Sequence, residues 1–246
     1  MSKTANIIWQ TVGIAIAIAI LVGAAVWGYT MRPSAAVCPS LTYKFQDADE
    51  RMYVSESELD SLLRREEVYP VGKHIDRLAI HRIEGVIDRH PMIERAECFT
   101  TPLYEVKVNI RQRTPLLEVR TPIERYYIDT HHMIMPWREE IKDDVLLVTG
   151  AVGPQAASSQ LAEMAEWLQE NDYWRERIHH IHMRTPMMAV LDPDDKNQPQ
   201  VIIGTLYDYP RKLNKLRIFI ENSAEATQDK HYRELDLRFK GQVIAR

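Results

Sequence analysis

The stretch that decides the fold is residues 90–115, which reads HPMIERAECFTTPLYEVKVNIRQRTP. Pro91 ends the helix that precedes it, because proline cannot continue a helical hydrogen-bond pattern. Apolar and polar side chains then alternate through 104–111, which is the period of a strand with one buried face. Together with the run 93–99, this alternation predicts a β-hairpin that turns at 100–103.

A strand and two helices are predicted upstream of this hairpin. Alternation over residues 41–45 predicts the strand. Ser55 stands three residues before Glu58, a capping-box pattern, and predicts a helix that begins near Ser55 and ends before Pro70. Apolar residues recur every three or four positions over 75–90 and predict a second helix.

A long apolar segment lies near the N-terminus. No charged residue occurs between Lys3 and Arg32, and this run is long enough to cross a bilayer. It exceeds the apolar stretch of a cleaved signal peptide, so we predict an uncleaved transmembrane helix at 7–29, with a cytoplasmic tail at 1–6 and a stalk at 30–40. The charges that flank the segment leave its orientation open.

The overall composition excludes several classes of protein. The chain has 31 Lys+Arg against 35 Asp+Glu and a net charge of -4, which argues against a general nucleic-acid binder. It has only 9 Gly and no phosphate-binding glycine motif, which argues against a nucleotide enzyme. Cys38 and Cys98 allow at most one disulfide, and whether they pair stays open.

Side chains that could perform catalysis or bind a metal are sparse. On a strand, His180 and His182 share one face while His179 points away, and two imidazoles without a nearby carboxylate or thiol make a poor metal site. The acidic run at 192–195 lacks the glycine and the closing glutamate of a calcium loop. No GxSxG motif is present. We expect no catalytic residue, metal or cofactor, although a triad assembled by the fold stays open.

The second half of the chain, residues 113–246, is predicted to be a mostly antiparallel β domain with two helices. The helices are predicted at 154–171, beginning at a proline, and at 212–221. The predicted strands are 178–183, 187–191, 200–206 and 234–244.

Short motifs follow one another along the chain in a fixed order. They are His90-Pro91 with Ala96, Arg113-Thr114-Pro115, Tyr127-Ile128-Asp129 with Ile134-Met135-Pro136, VLLVTG at 145–150, YPRKLNKL at 209–216 and ELDLRF at 234–239. This series resembles the FtsQ/DivIB family of bacterial cell-division proteins, with His131 and His132 where the family has a glycine turn. The resemblance implies an α+β fold: one N-terminal transmembrane helix, a POTRA domain (β-α-α-β-β) at 41–112 and the β domain at 113–246.

The resemblance also implies a function. It implies a non-catalytic bitopic scaffold of the cell-division machinery that links early and late division proteins. The protein would lie in the inner membrane at the division septum, with its N-terminus in the cytoplasm and its bulk in the periplasm. Its partners would be FtsB, FtsL and other septal proteins, with no nucleic acid or small-molecule substrate. The alternatives are a membrane-anchored cell-wall enzyme and a POTRA module of a secretion or assembly pore. A pore would need a long run of amphipathic strands after the POTRA region, whereas residues 113–246 are few for this and include predicted helices.

The last residues of the chain carry the predicted partner site. In the family, the final strand receives a segment of FtsB by strand addition, and the match at 236–239 places that site here. The predicted partner-binding residues are Arg238, Phe239, Lys240, Gly241, Gln242 and Val243. Leu235 and Leu237 are predicted to face the core, and Gly241 is predicted to bend the strand so that the Phe239 ring turns toward a partner.

Overall fold

The computed structural model describes residues 13–14, 16–24, 26–27, 36–46, 52–141, 144–192, 199–223 and 232–246. No helix in these ranges is both long enough and apolar enough to span a membrane. The predicted tail at 1–6 lies outside the described residues. The same is true of much of the predicted transmembrane segment at 7–29 and of residues 30–35 of the predicted stalk.

The described elements come in the order one strand, two helices, six strands, three helices, three strands, one helix and two strands. The helices are α1 (Glu56–Arg65), α2 (Ile80–Asp88), α3 (Pro154–Ala156), α4 (Ala162–Glu170), α5 (Asp172–Arg175) and α6 (Tyr209–Ser223). The strands are β1 (Leu41–Phe45), β2 (Ile93–Thr100), β3 (Val106–Gln112), β4 (Pro115–Arg120), β5 (Arg125–Asp129), β6 (Ile134–Pro136), β7 (Leu146–Gly150), β8 (His180–Thr185), β9 (Met188–Leu191), β10 (Gln200–Gly204), β11 (Glu234–Asp236) and β12 (Ile244–Ala245). They form a three-stranded sheet and a nine-stranded sheet.

The smaller sheet has the strand order β1-β3-β2. β1 runs parallel to β3, with Leu41 opposite Val106, and β2 pairs antiparallel with β3. The helices α1 and α2 bury Leu59, Leu63 and Ile83 in one core with this sheet. The predicted hairpin and the β-α-α-β-β order are therefore confirmed.

The predicted helix over 75–90 is wrong at its start. The chain makes a 3-10 turn at Ile75–Arg77, becomes extended at Leu78 (ψ 117°) and only then enters α2. Ile75 N–H donates to the carbonyl of Ala36 at 3.0 Å, and His74 forms a bridge with Val37. The entering segment therefore pairs with residues 72–75, at the point where the periodicity placed the start of a helix.

The larger sheet has the order β12-β11-β10-β9-β8-β7-β4-β5-β6. Five of its eight neighbouring pairs are antiparallel and three are parallel, so the predicted antiparallel majority is confirmed. One face buries apolar strand residues such as Val119 and Ile181 against Leu161 and Leu213 of the helical segments. The predicted helix at 154–171 contains a π-helical turn at Ala157–Leu161, between α3 and α4.

The predicted strand over 234–244 is wrong in its middle. β11 ends at Asp236, the chain loops out through 237–243, and β12 returns antiparallel to β11, with Ile244 opposite Asp236. Gly241 has a φ of +76°, a left-handed conformation that glycine adopts without a steric penalty. The turn at this glycine converts one long strand into two short ones.

Candidate partner-binding site

The predicted partner site lies at one end of the large sheet. β12 is the terminal strand and pairs with β11 on one side. The Arg246 N–H donates to the Glu234 carbonyl at 2.9 Å, and the Glu234 N–H donates back to the Arg246 carbonyl at 3.2 Å. Backbone groups alternate in direction along an antiparallel strand, so the N–H and C=O of Ala245 point away from β11, and Val243, the last residue of the loop, directly precedes this strand. They form an edge that could pair with an incoming strand.

Arg238 makes its contacts within its own domain. Its Nε and Nη2 donate to the two carboxylate oxygens of Asp236 at 3.0 and 2.7 Å, and its stem covers Gly204, where an added Cβ would lie 2.8 Å from the Arg238 Cγ. The Arg238 guanidinium beside Asp236 lowers the pKa of this buried carboxyl below its ordinary value. Arg238 therefore fixes the start of the loop 237–243 to β10 and β11.

The remaining predicted residues lie on an exposed loop. Phe239, Lys240, Gly241 and Gln242 are exposed and Val243 is half-buried. Leu235 and Leu237 are buried, so their predicted core positions are confirmed. Phe239 is 42% exposed, which leaves it accessible on the loop between β11 and β12.

Sequence reasoning missed two parts of this site. Ile244 and Ala245 form the edge strand itself, and Lys215 of α6 donates its Nζ to the carbonyls of Leu237 and Phe239 at 2.9 and 2.6 Å. Gly241 was the signal for the strand break, because a glycine inside a strand pattern often marks a bend. The lysine contact has no local signal, since it joins residues more than twenty positions apart.

The edge of the smaller sheet at β2 is closed by α2. The Asp88 carboxylate accepts from the Ala96 N–H at 2.6 Å, and Glu84 accepts from the Cys98 N–H at 3.0 Å. These carboxylates occupy outward N–H groups that an added strand would need. Among the described residues, no strand pairs with the outer side of β12, whereas the outer side of β2 is occupied at Ala96 and Cys98.

The two histidines predicted to share a face do so. The Thr149 hydroxyl lies 2.8 Å from His180 Nε2 and 2.9 Å from His182 Nδ1, so it can donate to one ring and accept from the other. Across the described ranges, no three metal-ligating side chains come together. Cys38 and Cys98 are both free thiols.

Charged contacts join the two halves of the chain. Ser55 caps α1 as predicted, its Oγ accepting from the Glu58 N–H at 3.2 Å. The Glu58 carboxylate binds Arg138 of the second half, whose Nη1 also donates to the carbonyl of Tyr53 at 3.0 Å. Because His90 Nε2 lies 3.2 Å from the same carboxylate, one glutamate connects α1, the start of β2 and the second half.

The His90 contact predicts that stability falls in mild acid. Burial lowers the pKa of His90, and its Nδ1 accepts from the Met92 N–H at 3.3 Å, so protonating Nδ1 removes that acceptor. The unfolded chain therefore takes up a proton first, near pH 6.5. Stability is lost as the pH falls through this value, and more is lost at lower pH because Arg138 lowers the pKa of Glu58.

Thermal melts between pH 8 and pH 5 check this expectation. We expect His90→Gln to melt with a smaller pH dependence in this range than the natural chain, with His81→Gln, an exposed histidine on α2, as the matched control. An unchanged pH dependence in His90→Gln would contradict the assignment.

Two family profiles match the chain in sequence. Residues 36–111 match a POTRA-like domain, and residues 114–246 match the profile described as FtsQ/DivIB, C-terminal related. The class defined by the fold is thus a POTRA-like domain followed by a β-rich domain. Since the second match spans more than half of the 246 residues, the chain belongs to the FtsQ/DivIB family, which confirms the resemblance found from the motifs.

One similar solved structure is the major extracytoplasmic domain of the trans isomer of the cell-division protein DivIB from Geobacillus stearothermophilus. It is 16% identical, the match covers 48% of this chain and 98% of that one, and the TM-score is 0.29. No curated protein matches the chain in sequence. The family assignment therefore stands on the sequence profiles.

Proposed function

We propose that the chain is a non-catalytic scaffold of the bacterial cell-division machinery. Membership of the FtsQ/DivIB family supports this role, and the observation that carries it is the profile match over 114–246, the part that contains the β12 edge. The proposed organisation is a tail at 1–6, a transmembrane helix at 7–29, a stalk at 30–40, a POTRA domain at 41–112 and a β domain at 113–246.

The proposed partners are FtsB and FtsL, bound outside the cytoplasm at the division septum. The edge formed by Val243 and Ala245 supports strand addition as the mode of binding, because it offers N–H and C=O groups in register for an extended segment. Exposed Phe239 and Lys240 would flank that segment, and the lysine would favour an acidic one. Arg238 is held by Asp236, so its proposed part in binding is to fix the loop.

Affinity purification tests the scaffold function. Tagged full-length protein, recovered from solubilised membranes and analysed by mass spectrometry, should bring down FtsB and FtsL. Recovery of the bait without division proteins would contradict the proposal. Reproducible cell-wall hydrolysis by the full chain, abolished by a single substitution, would favour the alternative of a membrane-anchored enzyme.

The proposed topology places the N-terminus in the cytoplasm and the bulk of the chain in the periplasm of the inner membrane. The uncharged run between Lys3 and Arg32 supports a single crossing. A reporter that is active only in the cytoplasm, fused after Arg246, should stay silent, whereas the same reporter fused before Lys3 should be active. An active reporter after Arg246 would contradict this topology.

A further inference from the structure

The turn between β2 and β3 exposes apolar side chains at its tip. Pro102, Leu103 and Tyr104 are exposed, and the side chain of Leu103 is 73% accessible. Phe99, near the end of β2, is also exposed. Large apolar groups are costly to leave in water, so this concentration at one turn needs a physical reason.

Hydrogen bonds within residues 101–105 stabilise the turn at the tip. The Thr101 N–H donates to the Glu105 carbonyl and the Tyr104 N–H donates to the Thr101 carbonyl, both at 2.9 Å. The Thr101 hydroxyl also accepts from the Glu105 N–H at 3.2 Å. Tyr104 has a φ of +65°, a conformation that usually belongs to Gly, Asn or Asp. The turn therefore holds an aromatic residue where a small one would be less strained.

The tip lies at the end of the small sheet where the chain arrives from its N-terminal apolar segment. β1 and β3 are parallel and start side by side, and the Val106 N–H donates to the Ser40 carbonyl at 3.0 Å. Nine residue steps separate Trp27 from Ala36, a span of at most about 32 Å. The tip therefore lies at the end of the small sheet that the chain enters, and the apolar segment ends within that reach of Ala36.

We propose that the tip at 102–104 inserts into the headgroup region of the bilayer that holds the segment 7–29. An aromatic ring beside aliphatic groups is the combination that prefers a membrane interface. This inference rests on the proposed transmembrane anchor and adds a second membrane contact that orients the POTRA domain.

The chain contains a matched control for this inference. Thr121-Pro122-Ile123, at the turn between β4 and β5, repeats the Thr-Pro-aliphatic pattern of the tip. Ile123 is 91% exposed, more than Leu103, yet its turn belongs to the larger sheet. Exposure alone therefore predicts the same behaviour for both turns, whereas bilayer docking predicts a difference.

The experiment places an environment-sensitive fluorophore on full-length protein reconstituted in phosphatidylethanolamine–phosphatidylglycerol vesicles. Labels go on Pro102→Cys, Pro122→Cys or Ile18→Cys, each as a single variant. The native cysteines should stay unlabelled, because Cys38 is buried and burial raises the pKa of the Cys98 thiol to about 12. Brominated acyl chains then quench any label that reaches the bilayer.

We expect strong quenching at position 18 and several-fold stronger quenching at position 102 than at position 122. Adding Leu103→Asp should reduce the signal at 102 to that at 122, while Ile123→Asp should change nothing, with melting temperatures checked for both. Quenching at 18 but not at 102 would overturn the docking of the tip and leave the anchor intact. No quenching at 18 would overturn both the anchor and the docking of the tip. If the label at 102 became shielded from water only when division proteins were added, the tip would bind a protein partner instead.

Discussion

Ala245→Pro is expected to weaken the capture of the division partner about tenfold while the protein stays folded. Proline removes the N–H that Ala245 directs away from β11, and its ring fills the space that an incoming strand would occupy. One backbone hydrogen bond is worth about 1 kcal/mol, and the ring adds steric exclusion. Partner recovery at equal bait levels measures the effect.

Ala245→Val is the matched control, because it adds bulk and keeps the N–H. Val243→Pro should act like Ala245→Pro, whereas Gln242→Pro tests whether the contact extends into the loop. Melting temperatures near that of the natural chain would show that β11 still pairs with β12. Equal recovery with Ala245→Pro and Ala245→Val would place the partner elsewhere on the second domain.

Asp129→Ala is expected to destabilise the second half of the chain by about 3–5 kcal/mol, as does the removal of one partner from a buried ion pair. The buried Asp129 carboxylate accepts from Arg113 Nη1 at 2.7 Å, from the His131 N–H at 2.9 Å and from the Met133 N–H at 2.6 Å. It thus ties the β5–β6 turn to the residue that follows β3. The substitution leaves Arg113 without its carboxylate.

Denaturant unfolding of the full chain in detergent measures this loss. The matched control is Glu124→Ala, which removes an exposed carboxylate at the neighbouring turn and should cost less than about 0.5 kcal/mol. A loss of similar size in both variants would contradict the structural role of Asp129.

The elements that the sequence predicted well are those whose signal is local. The hairpin of β2 and β3 follows from the alternation at 104–111 and from Pro91, and both act within a few residues. The start of α1 follows from Ser55, whose side chain caps the helix. Such features need no knowledge of the rest of the fold.

The elements that the sequence mispredicted depend on distant contacts. Residues 75–79 have helical periodicity, but the Ile75 N–H is bound to Ala36, and the residues just before it, 72–74, pair with 37–38. Glu58 fits a capping box, yet its carboxylate binds Arg138, eighty positions away. Position 246 pairs with Glu234 only because the loop at 237–243 turns back, and no period in the sequence specifies that return.

Only some features of the predicted partner site follow from neighbouring residues in the sequence. The Gly241 bend and the buried leucines could be predicted from the pattern at 234–243. The packing of the Arg238 stem over Gly204 could not, because it depends on the parallel pairing of β10 with β11, although the other contact of Arg238, Asp236, is only two positions away. The consequence is a shift of the proposed template from residues 238–242 to the last loop residue, Val243, and to Ala245 of β12.

Residue-resolved amide hydrogen exchange on the full chain, with and without bound FtsB and FtsL, tests the strand-addition account most directly. In the free protein, the amides of Ile244 and Arg246 should be protected by β11, and those of Val243 and Ala245 should exchange fast. In the complex, all four should be protected. Fast exchange at Val243 and Ala245 in a saturated complex would contradict the account.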